Sequence, residues 1–192
     1  MLKQKLKPYN IILASGSPRR QQFFKDLDID FSIQLKEIEE IYPKELKGTE
    51  ITDFLADLKS KAFTDLQEED ILITSDTIVW SEKRALGKPK DAKEAFTMLR
   101  ALSNKKHQVI TSVSIKSTSF QKIINDITTV TFKELTDEEI HYYIKNYKPF
   151  DKAGGYGIQE WIGFIGIDRI EGSYFNVVGL PVHKLYQELM NL

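Results

Sequence analysis

Short apolar runs bounded by turn residues punctuate a chain whose other hydrophobic residues recur mostly at helical spacing. Ile11-Ile12-Leu13 closes on small residues and predicts a buried strand running into a tight turn. Ser17 is then a good N-cap and Pro18 a good first helical residue, because proline lacks the N–H that would be unpaired there anyway. Asp30 to Leu35 alternates weakly as a second strand, and Phe54, Leu55, Leu58, Ala62 and Leu66 share a helical spacing. Ile71 to Trp80 is a strongly apolar β-type run interrupted by Thr74-Ser75-Asp76-Thr77.

The second half follows the same logic. Leu86-Gly87-Lys88-Pro89 is a turn, and Asp91 with Glu94 predicts a capping box for a helix whose inner face carries Ala95, Phe96, Leu99 and Leu102. His107 to Ile115 and Ile123 to Phe132 read as strands, joined by a hairpin connection over Lys116 to Lys122. Thr136 and Glu139 open another helix, with Ile140, Tyr143, Ile144 and Tyr147 on one face and Pro149 at its end. Ile162 to Val178 reads as two strands turning at Glu171-Gly172, and Gly179-Leu180-Pro181 leads into a last helix. With no repeat, low-complexity tract or Pro/Gly/Ser-rich linker, residues 1–192 are expected to form one continuous domain.

Composition narrows the function classes. The 192 residues are 41% hydrophobic and 29% charged, enough for a substantial core, and the net charge of -1 supplies no global basic field. Nucleic acid and an anionic membrane surface are therefore not the expected partners, and any anion site must be local. The absence of cysteine excludes a disulfide, a thiolate zinc site and a cysteine nucleophile. No run of about 18 apolar residues occurs, and the basic start, Met1 to Lys7, lacks an apolar stretch of signal length, so a soluble, cytoplasmic protein is expected.

Local chemistry then stands out. Arg19 and Arg20 put two positive charges at the positive end of a helix dipole, costing about 0.3 to 1 kcal/mol each unless something answers them. A phosphate would answer them, through backbone N–H groups and two guanidinium forks; the alternative is a solvated surface pair. The acidic patch Glu37, Glu39 and Glu40 is either solvated or turns Glu39 or Glu40 to a divalent cation, which prefers hard oxygen ligands. Lys59 and Lys61 lie on different sides of their helix, so at most one faces a given site.

Asp76 puts a carboxylate inside an apolar strand, where it must be satisfied by hydrogen bonds, a cation or water. It is either a general base or metal ligand, or a residue bonded to a neighbouring turn. His107 has no second histidine at ligand spacing and reads as a structural hydrogen-bonding residue. Asp151 to Gln159 is a loop of three glycines that matches neither common phosphate-loop pattern, but suits close approach of backbone groups and Gln159 to a nucleotide base.

In order along the chain, Ser15-Gly16-Ser17-Pro18-Arg19-Arg20, Ser75-Asp76-Thr77, Leu86-Gly87-Lys88-Pro89, Met98-Leu99 with His107-Gln108-Val109, Asp151 to Gln159, and Gly172-Ser173-Tyr174 with Val178-Gly179-Leu180-Pro181 resemble the Maf family of nucleoside triphosphate pyrophosphatases nearly end to end. The resemblance implies an α/β fold with a central mixed, twisted β-sheet flanked by helices, two lobes around a cleft, and a divalent metal cofactor, Mg²⁺ or Mn²⁺. It also implies hydrolysis of a nucleoside triphosphate to the monophosphate and pyrophosphate. Arg19, Thr77 and Gln159 match the branch similar to dTTP/UTP pyrophosphatases rather than the 7-methyl-GTP branch. Ser75, Asn104, Gly155 and Glu160-Trp161 depart from the family's commonest residues, the last two bordering the expected base pocket.

On this reading Asp76, Lys88, Arg20 and Lys61 are the expected catalytic residues, Ser17, Arg19, Thr77 and Gln159 bind and select the substrate, and Glu39, Glu40 and Asp76 hold the metal. The partner is a small-molecule nucleoside triphosphate, and the chain is compatible with a homodimer. The rival from another class is a nucleotide-binding regulator of septum formation without turnover.

Overall fold

The computed structural model describes all residues, 1–192. Helix α1 (Leu2–Lys5) precedes β1 (Asn10–Leu13), α2 (Pro18–Asp26), β2 (Phe31–Ile33), α3 (Thr49–Lys61), β3 (Asp70–Ser81), β4 (Arg84–Leu86) and α4 (Ala92–Leu102). Then come β5 (Lys106–Lys116), β6 (Gln121–Phe132), α5 (Asp137–Tyr147), a 3₁₀ turn (Ala153–Gly155), α6 (Trp161–Gly166), β7 (Ile167–Glu171), α7 (Tyr174–Val178) and α8 (Val182–Met190). The seven strands form one sheet in the order β2-β1-β3-β5-β6-β7, with β4 paired to β3. It is mixed, since β1 runs parallel to β2 and β3 whereas β4 is antiparallel to β3 and β7 to β6. The expected mixed α/β sheet flanked by helices is thus present.

The chain divides into two compact units, residues 1–76, 111–126 and 179–192 in the first and 77–110 and 127–178 in the second. In the first, the unbroken apolar runs of β1 and β3 are buried on both faces, as parallel strands require. Ile11, Leu13, Ile71 and Ile73 join Phe24, Val113, Ile115, Leu185 and Leu189 in one core, while Ile12 and Leu72 face Phe63 on the other side. Each such fully buried aliphatic side chain contributes about 1.5 to 3 kcal/mol. In the second, the Thr136 and Glu139 capping box forms as expected, and Tyr143 and Ile140 are fully buried. The Asp91 side chain accepts from Glu94 N, but the Glu94 carboxylate accepts from Lys90 N, so the expected box closes one residue early.

Two expectations fail. Ile162 to Val178 is not a pair of strands: α6, β7 and α7 occupy it, and only Ile167–Glu171 is extended. Gly163 N and Phe164 N donate to the Glu160 carbonyl, which starts α6, and Asn176 N donates to the Ser173 hydroxyl, which starts α7. These short helices carry too few residues for a helical period to register against a β-branched composition. Leu66 also lies beyond its expected helix, because α3 ends at Lys61 with Ala62 as C-cap.

Candidate active site

The small residues after β1 bring the chain into α2 as expected. Ser17 is the extended N-cap and Pro18 the first helical residue; Ser17 N donates to Ser15 Oγ at 3.2 Å, and the Ser17 hydroxyl makes no capping bond. One turn along, Arg20 is anchored by backbone carbonyls outside its own helix: Nε donates to Gly179 O, just after α7, at 2.8 Å and Nη1 to Ser75 O of β3 at 3.1 Å. Burial pushes its guanidinium down to about 10, opposed by the nearby Asp76 and Glu40 and reinforced by Arg19, so it stays charged at neutral pH. Arg19 is half-buried beside it.

Asp76 ends the first unit's part of β3 and is 7% exposed. Its Oδ1 accepts from Lys59 Nζ at 2.6 Å, and the same ammonium pairs with Glu40 Oε1 at 3.0 Å and reaches Ser75 O at 3.4 Å. Burial raises the Asp76 carboxyl above the usual range; Lys59 and then Arg20 pull it back, and Glu40 pushes it further up. A buried carboxylate bracketed by two cations, with a second carboxylate sharing one of them, is an arrangement suited to proton transfer next to a polyanion. The Ser75 hydroxyl is buried without a partner.

The α3 lysine at this site is Lys59. Lys61, the expected one, is 67% exposed and pairs with Asp57 one turn back at 2.6 Å. Lys59 follows the buried Thr52, Leu55 and Ala56 by seven, four and three residues, so it shares their face. Lys61 does not. Within the acidic patch Glu40 reaches Lys59, whereas Glu39 is exposed, its carbonyl accepting from Ile41 N.

The expected selective residues Thr77 and Gln159, and Lys88, belong to the second unit. Lys88 is exposed on the turn after β4. The glycine loop is built onto that turn: Gly154 N donates to Gly87 O at 2.9 Å. Gly154 has φ +68°, and a Cβ there would lie 2.7 Å from Val79 Cγ2, so glycine alone fits. Gln159 is half-buried and its carboxamide oxygen is buried without a partner. His107 is structural, as expected: it is 3% exposed, its Nε2 lies 2.7 Å from Tyr156 Oη, and its ring packs edge-on against Phe132 and Tyr156.

Residues 10–192 match the family model described as Maf-like protein. The chain belongs to the Maf family. Among its relatives, one from Flavobacterium johnsoniae is 62% identical over 193 residues, covering 100% of both chains, and one from Flavobacterium psychrophilum is 62% identical over 100% of this chain and 98% of that one. One from Bacteroides fragilis is 50% identical over 96% of each. All three are named dTTP/UTP pyrophosphatase. A solved HAM1 protein from Coxiella burnetii shares the fold of this Maf chain at a TM-score of 0.53 and 16% identity, covering 96% of this chain and 100% of that one. No helix of the Maf chain is long and apolar enough to cross a membrane.

Proposed function

We propose that this Maf chain hydrolyses dTTP and UTP to the monophosphate and pyrophosphate. The observation that carries the reading is the buried Asp76 carboxylate, bonded to Lys59 and flanked by Arg20. A water attacking the α-phosphorus must lose a proton, and Asp76 is the base that takes it. Negative charge grows on the phosphate oxygens and on the departing pyrophosphate; Arg20, Lys59 and Lys88 are the cations that stabilise it. Arg19 and Ser17 bind the phosphate side, and Thr77 and Gln159 read the carbonyls and N3–H of a pyrimidine, a polar recognition that discriminates far better than apolar contact.

The donor set fits a divalent ion. Asp76 and Glu40 already converge on one cation, the Lys59 ammonium, and Mg²⁺ is typically held by one or two carboxylates together with substrate phosphates. Asp76 and Glu40 would hold it. The chemistry such an ion supplies when bound is neutralisation of phosphate charge.

Cytoplasmic localisation and a homodimeric assembly complete the proposal. Pyrophosphate release is measured for the common and 7-methylated triphosphates with Mg²⁺ or Mn²⁺, and again with excess chelator. Preferred turnover of dTTP and UTP that chelation abolishes is expected. A preference for 7-methyl-GTP overturns the branch assignment, and binding without turnover of any triphosphate supports the regulator instead.

A further inference from the structure

Gln159 is followed by Glu160, and the structure gives that carboxylate a defined task. Within the second unit, Glu160 Oε2 accepts from the Tyr143 hydroxyl of α5, while Glu160 Oε1 pairs with Lys152 Nζ at 3.0 Å. The Lys152 ammonium, 9% exposed, is held on its other side by Asp151 Oδ1 at 2.7 Å. The Tyr143 oxygen in turn accepts from Gly157 N at 3.0 Å. Burial, and then the bond to Glu160, raise the Tyr143 hydroxyl above its ordinary range, so it remains a proton donor at neutral pH. A lysine, a carboxylate and a phenol thus close a polar clamp across the turn from Gly157 to Glu160.

Gln159 sits inside that clamp. A Cβ on Gly157 would lie 2.9 Å from Gln159 Nε2, 3.0 Å from Glu160 Cδ and 3.0 Å from Lys152 Cε, so all three side chains converge over the bare Gly157 Cα. The Gln159 carboxamide oxygen is buried, yet no protein donor reaches it. An otherwise mobile side chain is thereby confined by its neighbours while its acceptor is left without a protein donor, as preorganised recognition requires.

We propose that Glu160, acting with Lys152 and Tyr143, is a positioning residue that fixes the Gln159 carboxamide for recognition of the pyrimidine edge. The inference rests on the base-reading role given to Gln159 above. It implies that losing the clamp loosens base selection while leaving the phosphate chemistry of Asp76 intact. The cost therefore falls on KM for pyrimidine triphosphates and not on kcat.

The test is a steady-state panel of dTTP, UTP, CTP and GTP on wild-type protein, E160A, E160Q, Y143F and Q159A, with a thermal melt of each. E160A is expected to raise KM for dTTP and UTP about tenfold with kcat within about threefold, and to narrow their preference over GTP by a similar ratio. E160Q still accepts from Tyr143 and is expected to recover most of that loss. Y143F, which keeps the ring, is expected to shift the preference partway in the same direction. If Q159A loses the preference while E160A and Y143F keep it, the inference is overturned and the base-reading role stands. If Q159A itself keeps the preference, the base-reading role falls and the inference with it. A uniform fall in kcat for every triphosphate in E160A, with the ratios unchanged, marks a purely structural clamp and also overturns the inference.

Discussion

Replacing Lys59 by Met removes the cation that holds Asp76. Lys59 and Asp76 have side chains 17% and 9% exposed, so this is a largely buried pair, and losing one partner of such a pair costs about 3 to 5 kcal/mol. Glu40, 45% exposed, is resolvated readily, and Arg20 still faces Asp76, which puts the expected loss near the lower end, about 3 kcal/mol. For a chain of 192 residues that corresponds to a melting temperature lower by about 6 to 12 °C. The loss also depends on pH. Burial already raises the Asp76 carboxyl above its unfolded value of 3.8, and Lys59 is the largest influence holding it down. Without Lys59 the folded carboxyl rises further still. The folded state then binds the proton more tightly than the unfolded chain, so stability falls as pH rises through that widened window. The melting deficit of K59M is therefore larger at pH 8 than at pH 5, and the acid limb of its pH–activity profile moves upward. Differential scanning calorimetry and pyrophosphate release with dTTP measure both. K61M is the control, since an exposed pair one helical turn apart contributes about 0.3 to 0.5 kcal/mol. Wild-type pH dependence in K59M, together with loss of activity in K61M, would refute the assignment of Lys59 and restore the lysine expected from sequence.

Asp76→Asn keeps the size of the side chain but not its basicity, and lowers kcat for pyrophosphate release by about a hundredfold or more; activity near wild type removes Asp76 as the base. His107 has its pKa lowered by burial from 6.5 to about 4, so the unfolded chain takes up the proton first and stability is lost as pH falls through that range. The full window is worth on the order of 3 kcal/mol, and H107Q should show a flatter acid dependence of its unfolding midpoint in urea. Gly154→Ala forces a side chain into φ +68° and against Val79, for a loss of about 2 kcal/mol or more, and an unchanged midpoint contradicts the close approach.

What the sequence discloses follows from how locally each feature is specified. The strand of Asp70–Ser81, the start of α2 at Pro18 and the Thr136 capping box rest on neighbouring residues, and each forms where its pattern places it. A carboxylate inside an apolar run is likewise conspicuous without a structure, because burial makes it costly wherever it lies. Its partner is not, because choosing between Lys59 and Lys61 requires the phase of α3 against the sheet. That phase is set by Thr52, whose hydroxyl lies 2.6 Å from Ser112 Oγ, and by Ala56, whose carbonyl accepts from Thr74 at 2.6 Å. Those polar contacts join residues 60 and 18 positions apart, and the three small hydroxyl residues that make them give no periodic signal of their own. The apolar positions Leu55 and Ala56 did carry the phase, and extending their face by one turn reaches Lys59 and passes Lys61 by. The clamp around Gln159 was hidden for the opposite reason. Tyr143 fits the apolar face of α5, which masks its hydroxyl in the sequence pattern, yet a buried phenol needs a polar partner, and that need leads to Glu160. The carboxylate beside Gln159 is therefore best read together with the buried polar groups it satisfies.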